Sequence, residues 1–130
     1  MATLRDIVVD CRHPASLARF WAAALDDHQV APYDDAELAR LRALGVEGNE
    51  DDPTVLVEPK TSGPRLWFQR VPEKRERKNR VHLDLATGKG TFEAELTRLE
   101  ALGATRPPAQ GHPGLVVLHD PEGNEFCLLR

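Results

Sequence analysis

The order of predicted secondary-structure elements restricts the fold most, because the two halves of the chain repeat it. Each half reads as a strand, an amphipathic helix, an irregular connection and a terminal hairpin. The charged stretch at residues 72–79 joins the halves and reads as a solvated linker. This order predicts a first module over about residues 4–72 and a second over about 79–130, within one domain of residues 1–130.

The first module opens with a strand and a helix. Residues 4–11 alternate in polarity, and Ile7 and Val9 share the apolar face. Pro14 suits a first helical turn, where its missing N–H is harmless, and apolar spacing then predicts a helix over 14–25. An extra helix is predicted at about 36–44, with Asp34 or Asp35 as its cap. Residues 29–33 are ambiguous and fit a short strand among other readings, whereas 54–58 and 65–71 are predicted to form a hairpin.

The second module opens with a strand predicted over residues 80–86. Its core-facing residues are predicted to be Val81, Leu83 and Leu85, so that His82 and Asp84 face away. Thr91 is the expected N-terminal cap of the following helix, and Gly103 is the residue expected to end it.

The last sixteen residues are predicted to form a hairpin. Pro121 presets φ for a turn, and Gly123 can adopt the positive φ that closes it. In the second strand Phe126 and Leu128 share one face, while Cys127 and Leu129 lie on the other. Cys127 is therefore expected to face whatever the sheet encloses.

The overall composition is that of an ordinary globular protein, for which a cytoplasmic location is the default expectation. The chain has 130 residues, of which 41% are hydrophobic and 29% charged, as in ordinary globular domains. A net charge of −4 argues against a nucleic-acid partner, which needs a positive surface. No apolar run approaches the about 20 residues that cross a bilayer, and the start MATLRDIVVD shows no signal-peptide pattern. We therefore expect no membrane partner.

Two cysteines, Cys11 and Cys127, are too few for a disulfide framework. Cys11 shares the parity of the apolar strand face, so it reads as a small buried hydrophobe. Neither cysteine belongs to a CxxC pair, and a reducing compartment fits both.

Four segments in this order and spacing carry a family resemblance: DIVVDCRHPASLARFWAAAL, PRLWFQRVPE, NRVHLDLA and VVLHDPEGNEFCLL. Together they resemble the vicinal oxygen chelate superfamily of glyoxalases, bleomycin-resistance proteins and extradiol dioxygenases, and most nearly its small bacterial glyoxalase-like domain proteins. The resemblance implies an α+β fold. Two tandem βαβββ modules would form a curved, cupped mixed sheet with the helices on its outer face, and a homodimer is expected.

The resemblance also implies where a metal would be held. Metal ligands in the superfamily come from the first and last strands of each module. Carried over position by position, these fall on Asp6 and Gln69 in the first module and on His82 and Cys127 in the second. The implied cofactor is a divalent metal ion, Zn, Ni, Mn or Fe, or none. A cysteine at the position of the usual glutamate removes a hard anionic oxygen and a proton-shuttling carboxylate.

Each candidate residue also has a structural interpretation. Cys127 is either a ligand or an inert cavity-lining thiol. His82 is either a ligand or base, or a histidine paired with a nearby carboxylate. Trp67 offers a stacking surface or fills the core. The further residues expected to line the ligand site are Asp10, Asp84 and Leu129.

Three functions follow as hypotheses. The first is a small-molecule binding protein of the glyoxalase and bleomycin-resistance type, with its ligand in a cavity between the two modules. The second is a metal-dependent lyase, isomerase or dioxygenase acting on vicinal oxygens. The third is a non-catalytic interaction module. No catalytic residue is assigned, because fold alone does not fix function.

Overall fold

A computed structural model describes residues 1–130, which divide into two compact units, Met1–Lys74 and Arg75–Arg130. The elements of the first unit are β1 (Asp6–Cys11), α1 (Pro14–Ala24), β2 (His28–Val30), α2 (Asp35–Ala43), a short 3₁₀ helix (Asn49–Asp51), β3 (Thr54–Pro59) and β4 (Arg65–Arg70). Those of the second unit are β5 (Leu83–Ala86), α3 (Phe92–Leu102), β6 (Leu115–His119) and β7 (Glu125–Leu129).

The sheet of the first unit has four strands in the order β1-β4-β3-β2. β1 pairs with β4 in parallel, and the other pairs are antiparallel. Leu17 of α1 is fully buried, as are Val57 of β3 and Phe68 of β4, so α1 packs on one face of these strands. Burial of each such side chain contributes about 1.5–3 kcal/mol. Polar residues of the strands are left to the opposite face.

The sheet of the second unit has three strands in the order β5-β7-β6, again one parallel and one antiparallel pair. Leu99 of α3, Leu118 of β6 and Phe126 of β7 are fully buried. An isolated bridge between Thr105 and His119 stands where the first unit has β2. The α+β fold with two related modules is thus confirmed, and its strands form two mixed sheets of four and three strands.

The predicted helix ends agree with the structure because short-range chemistry determines them. The Thr91 hydroxyl accepts a hydrogen bond from the Ala94 N–H at 3.2 Å, and Gly103 ends α3 with φ of 119°. The Asp34 carboxylate accepts from the Glu37 N–H at 2.9 Å at the start of α2. No helix is long and apolar enough to cross a membrane.

The strand predicted over residues 80–86 is shorter than expected. It begins at Leu83, so His82 precedes it. Val81, predicted to face the core, is 75% exposed. The physical reason is the partner strand: β5 pairs with β7 only from Leu83 opposite Phe126 onward, so residues before Leu83 have no ladder to join.

Candidate functional site

Asp6 is held by an arginine on the neighbouring strand. It lies opposite Arg65 in the β1–β4 ladder, and the guanidinium donates from Nε to Oδ1 at 2.7 Å and from Nη2 to Oδ2 at 3.0 Å. The hydrogen bond from Arg65 holds the pKa of the Asp6 carboxyl below its usual value. Both carboxylate oxygens of Asp6 are thus already engaged.

Gln69 lies at the other end of the same ladder. It is opposite Asp10, and its Nε2 donates to the Asp10 Oδ1 at 2.7 Å. Asp6 is four pairing positions away, about 13 Å along the strand. The structure therefore brings Gln69 together with Asp10 and does not bring it to Asp6.

The second unit brings three of the candidate residues together. His82, Asp84 and Cys127 each offer a donor atom, and these atoms lie within 4.8 Å of one another. The His82 Nε2 is 3.2 Å from Asp84 Oδ1. Asp84 lies opposite Cys127 in the β5–β7 ladder, which fixes their approach. Leu129 pairs with Ala86 two positions further along β7 and contributes no polar atom to this cluster.

The Cys127 thiol is held in its neutral form. Burial raises its pKa, and the Asp84 carboxylate, as a nearby charge and hydrogen-bond partner, raises it further, whereas Lys78 lowers it. Cys127 is 6% exposed. Without a metal the thiol is therefore a weak nucleophile, because the thiolate is the reactive form.

The three side chains of this cluster are of the types that bind zinc and similar ions. An imidazole, a carboxylate and a thiol lie close enough together to converge, and zinc accepts nitrogen, oxygen and sulfur ligands. Metal binding would have to release the thiol proton. A metal-ligand role for Asp6, Gln69, His82 and Cys127 stays a prediction.

The two parallel ladders share an arrangement. Asp10 lies opposite Gln69 in β1–β4, and Asp84 lies opposite Cys127 in β5–β7. If Gln69 and Cys127 are equivalent positions of the two modules, the ladder makes Asp10 the counterpart of Asp84. His82 stands two places before Asp84, and Val8 stands two places before Asp10. Val8, and not Asp6, is then the counterpart of His82.

A pocket of about 270 Å³ opens on the sheet face of the first unit that points away from α1. Leu56 of β3 and Trp67 of β4 are cross-strand neighbours that contribute to its wall, together with Ala31 and Pro32. Leu66 and Phe68, on either side of Trp67, are buried, so alternation turns the indole toward the pocket. Trp67 is half-buried, and the Arg65 guanidinium lies 5.9 Å from its ring centroid.

A buried carboxylate organises the polar end of this pocket. Asp52 is 1% exposed, and its Oδ2 accepts hydrogen bonds from the Tyr33 hydroxyl and from Arg40 Nη2, both at 2.9 Å. Its Oδ1 accepts from the Thr54 N–H at 3.0 Å. Tyr33, Arg40, Asp52 and Thr54 all line the pocket, as does Glu37.

Trp67 could be predicted from the sequence as a candidate for this site, but the polar end of the pocket was not predicted. Strand alternation in β3 places Leu56 and Thr54 on one face, and that signal was available. The spacing of Glu37 and Arg40 on α2 predicts an i,i+3 ion pair. Nothing local marks Asp52 as buried, because its three donors come from α2, from the segment before α2 and from β3.

The first unit is a βαβββ module, and the second repeats it with an isolated bridge in place of the second strand. In each unit the last strand pairs in parallel with the first strand and antiparallel with the strand before it. This arrangement is that of the vicinal oxygen chelate superfamily. The sequence matches the glyoxalase-like domain family over residues 6–129, and the chain belongs to that family. A comparison with curated proteins returns no match.

Solved structures share the fold at low sequence identity. The fosfomycin resistance protein FosX from Mesorhizobium loti is 15% identical with a TM-score of 0.66, over 99% of this chain and 91% of that chain. A glyoxalase/bleomycin resistance protein/dioxygenase family enzyme from Burkholderia phytofirmans PsJN is 16% identical with a TM-score of 0.63, over 98% and 97%. A possible glyoxalase from Bacillus cereus is 10% identical with a TM-score of 0.65, over 100% of both chains.

Proposed function

We propose that the chain is a small-molecule binding protein whose ligand is a flat, mainly apolar molecule held over Trp67. The observation that carries this proposal is the pocket of about 270 Å³ in the first unit, with Trp67 and Leu56 in its wall. This volume lies just below the usual range for ligand sites. It suits a compound of about two fused rings.

The chemistry of the wall supports such a ligand. An indole face attracts another planar ring through offset stacking, worth about 0.5–1.5 kcal/mol beyond the area buried. Leu56, Ala31 and Pro32 add apolar surface, which contributes about 25 cal/mol per Å² removed from water. The polar groups are grouped at one end of the pocket, where they can orient a ligand.

Saturation-transfer NMR with naphthalene tests the proposal. Naphthalene should receive saturation from the protein, and Trp67→Ala should abolish the effect. Val81→Ala is the control, since Val81 is 75% exposed, lies in the second unit and does not line the pocket. Equal signals from the wild type and from Trp67→Ala would contradict binding at this pocket.

A metal-dependent lyase, isomerase or dioxygenase is the second candidate, and the cluster of His82, Asp84 and Cys127 favours it. A bound divalent metal would supply Lewis-acid stabilisation of charge on substrate oxygens. Cobalt titration tests it: a thiolate-to-cobalt charge-transfer band should appear, vanish in Cys127→Ser and persist in Cys11→Ser. The absence of the band, with less than one equivalent of metal in protein purified without chelator, would exclude this candidate.

The proposal extends to the assembly and location of the protein, which we expect to be a cytoplasmic homodimer. Family resemblance favours a homodimer, and the edge strands β2 and β6 are the kind that proteins cover or pair. A cytoplasmic, reducing location suits the two free thiols, Cys11 and Cys127. Light scattering should give a mass near twice the chain's 14.5 kDa, and a mass of one chain would contradict the dimer.

A further inference from the structure

Helix α2 has no counterpart in the second unit, which contains only α3. Its outer face is polar, and Leu41 is its one buried residue. Its contribution to the pocket is specific: Glu37 and Arg40 line the polar end. An added helix that offers so little to the core is better explained by what it presents to the pocket.

Asp52 fixes the position of the Arg40 side chain on α2. Arg40 donates from Nη2 to Asp52 at 2.9 Å and from Nε to Glu37 at 2.9 Å. These contacts leave Nη1, with its two N–H groups, without a hydrogen bond in the protein. Arg40 is thus a guanidinium held by two carboxylates, in a residue that lines the pocket and has a donor atom to spare.

The charges at this end of the pocket select against an anion. Glu37 and Asp52 carry two negative charges against the one positive charge of Arg40. The Tyr33 hydroxyl adds no charge, because burial and the Asp52 carboxylate raise its pKa far above neutrality. A ligand group that meets Arg40 Nη1 is therefore favoured when it is a neutral acceptor.

We infer that the pocket is selective for planar ligands that carry a neutral carbonyl oxygen, which accepts a hydrogen bond from Arg40 Nη1 while the ring stacks on Trp67. This inference rests on the proposed binding function. Arg40 then determines the specificity of the pocket, and Asp52 and Glu37 are positioning residues that act through it.

Two probes of similar shape separate the inference from the function on which it rests. Coumarin and naphthalene are both two fused six-membered rings, and only coumarin carries a carbonyl. Coumarin should bind about ten- to a hundredfold more tightly, as one hydrogen bond to a charged donor predicts. Coumarin-3-carboxylate should bind more weakly than coumarin. Equal affinity for coumarin and naphthalene would overturn the inference alone, and binding of neither would overturn the proposed function with it.

Variants assign the preference to one residue. Arg40→Lys keeps the charge beside Asp52 but loses the planar fork. The coumarin preference, which is the ratio of the naphthalene Kd to the coumarin Kd, should therefore fall to about onefold. Residual naphthalene binding by this variant reports a formed pocket. Arg42→Lys, on an exposed position of the same helix, should keep the preference. A preference that survives Arg40→Lys would overturn the assignment.

Discussion

Cys127 lies directly opposite Asp84 on the neighbouring parallel strand. Burial and this carboxylate together raise the pKa of the thiol, and the His82 imidazole reaches the same carboxylate at 3.2 Å. In this arrangement the imidazole and the thiol both lie beside one carboxylate. Asp84 is therefore the charged group that acts on the sulfur in this cluster.

Removing the Asp84 charge should make Cys127 more reactive. In Asp84→Asn the remaining cause of the raised pKa is burial, so the thiolate fraction at pH 8 should increase. Iodoacetamide alkylation, followed by mass spectrometry in a Cys11→Ser background, measures the rate. Alkylation should be faster in Asp84→Asn than in the parent. An unchanged or slower rate would show that Asp84 does not control this thiol.

The Asp52 network should contribute measurably to stability. Asp52→Ala leaves the Tyr33 hydroxyl, the Thr54 N–H and one side of Arg40 without their acceptor. We expect a loss of about 2–3 kcal/mol in the free energy of unfolding, measured by urea denaturation. Tyr33→Phe removes one hydrogen bond and should cost about 1 kcal/mol.

Asp51→Asn is the matched control, because Asp51 is the exposed neighbour of the buried Asp52. It should change the free energy of unfolding by no more than about 0.5 kcal/mol. Equal losses in Asp51→Asn and Asp52→Ala would mean that net charge, and not the buried network, is responsible.

Glu125 should make stability depend on pH in the acidic range. Burial would raise its pKa, but hydrogen bonds from Arg75 and from the Asn79 N–H outweigh burial and lower the pKa to about 2. A carboxylate with a lowered folded-state pKa stabilises the protein above its unfolded value of 4.5. That contribution is lost progressively as pH falls from about 5 toward 2.

Glu125→Gln should therefore cost about 1–2 kcal/mol at pH 7, after allowance for solvent screening, and much less at pH 3. Urea denaturation at both pH values gives the difference from the wild type. Glu47→Gln, which makes the same charge change at an exposed position, should show little effect at either pH. A Glu125→Gln deficit that does not shrink on acidification would contradict the linkage.

Features governed by neighbouring residues could be predicted from the sequence. Thr91 and Gly103 bracket α3 because a cap needs only a side chain a few residues away and a residue that tolerates positive φ. The closing hairpin is similarly local, with Gly123 at φ of 86°. Strand parity also assigned Trp67 to the face opposite Leu66 and Phe68, and Cys127 to the face opposite Phe126 and Leu128.

Features governed by a distant strand could not be predicted. Parity shows which face a residue occupies but not its partner, so it could not show that Asp6 pairs with Arg65 and Gln69 with Asp10. The late start of β5 has the same cause, because its ladder begins only at Leu83. The polar end of the pocket depends on Asp52, whose burial arises from donors in three other segments.

The two tryptophans allow the most direct test of ligand binding over Trp67. Trp21 is buried in the core of the first unit and Trp67 lines the pocket, so the two indole N–H signals in a ¹H–¹⁵N NMR spectrum report different places. Titration with coumarin should shift the Trp67 signal in a saturable way and leave the Trp21 signal in place. A Trp67 signal that stays fixed at saturating coumarin would contradict the central claim.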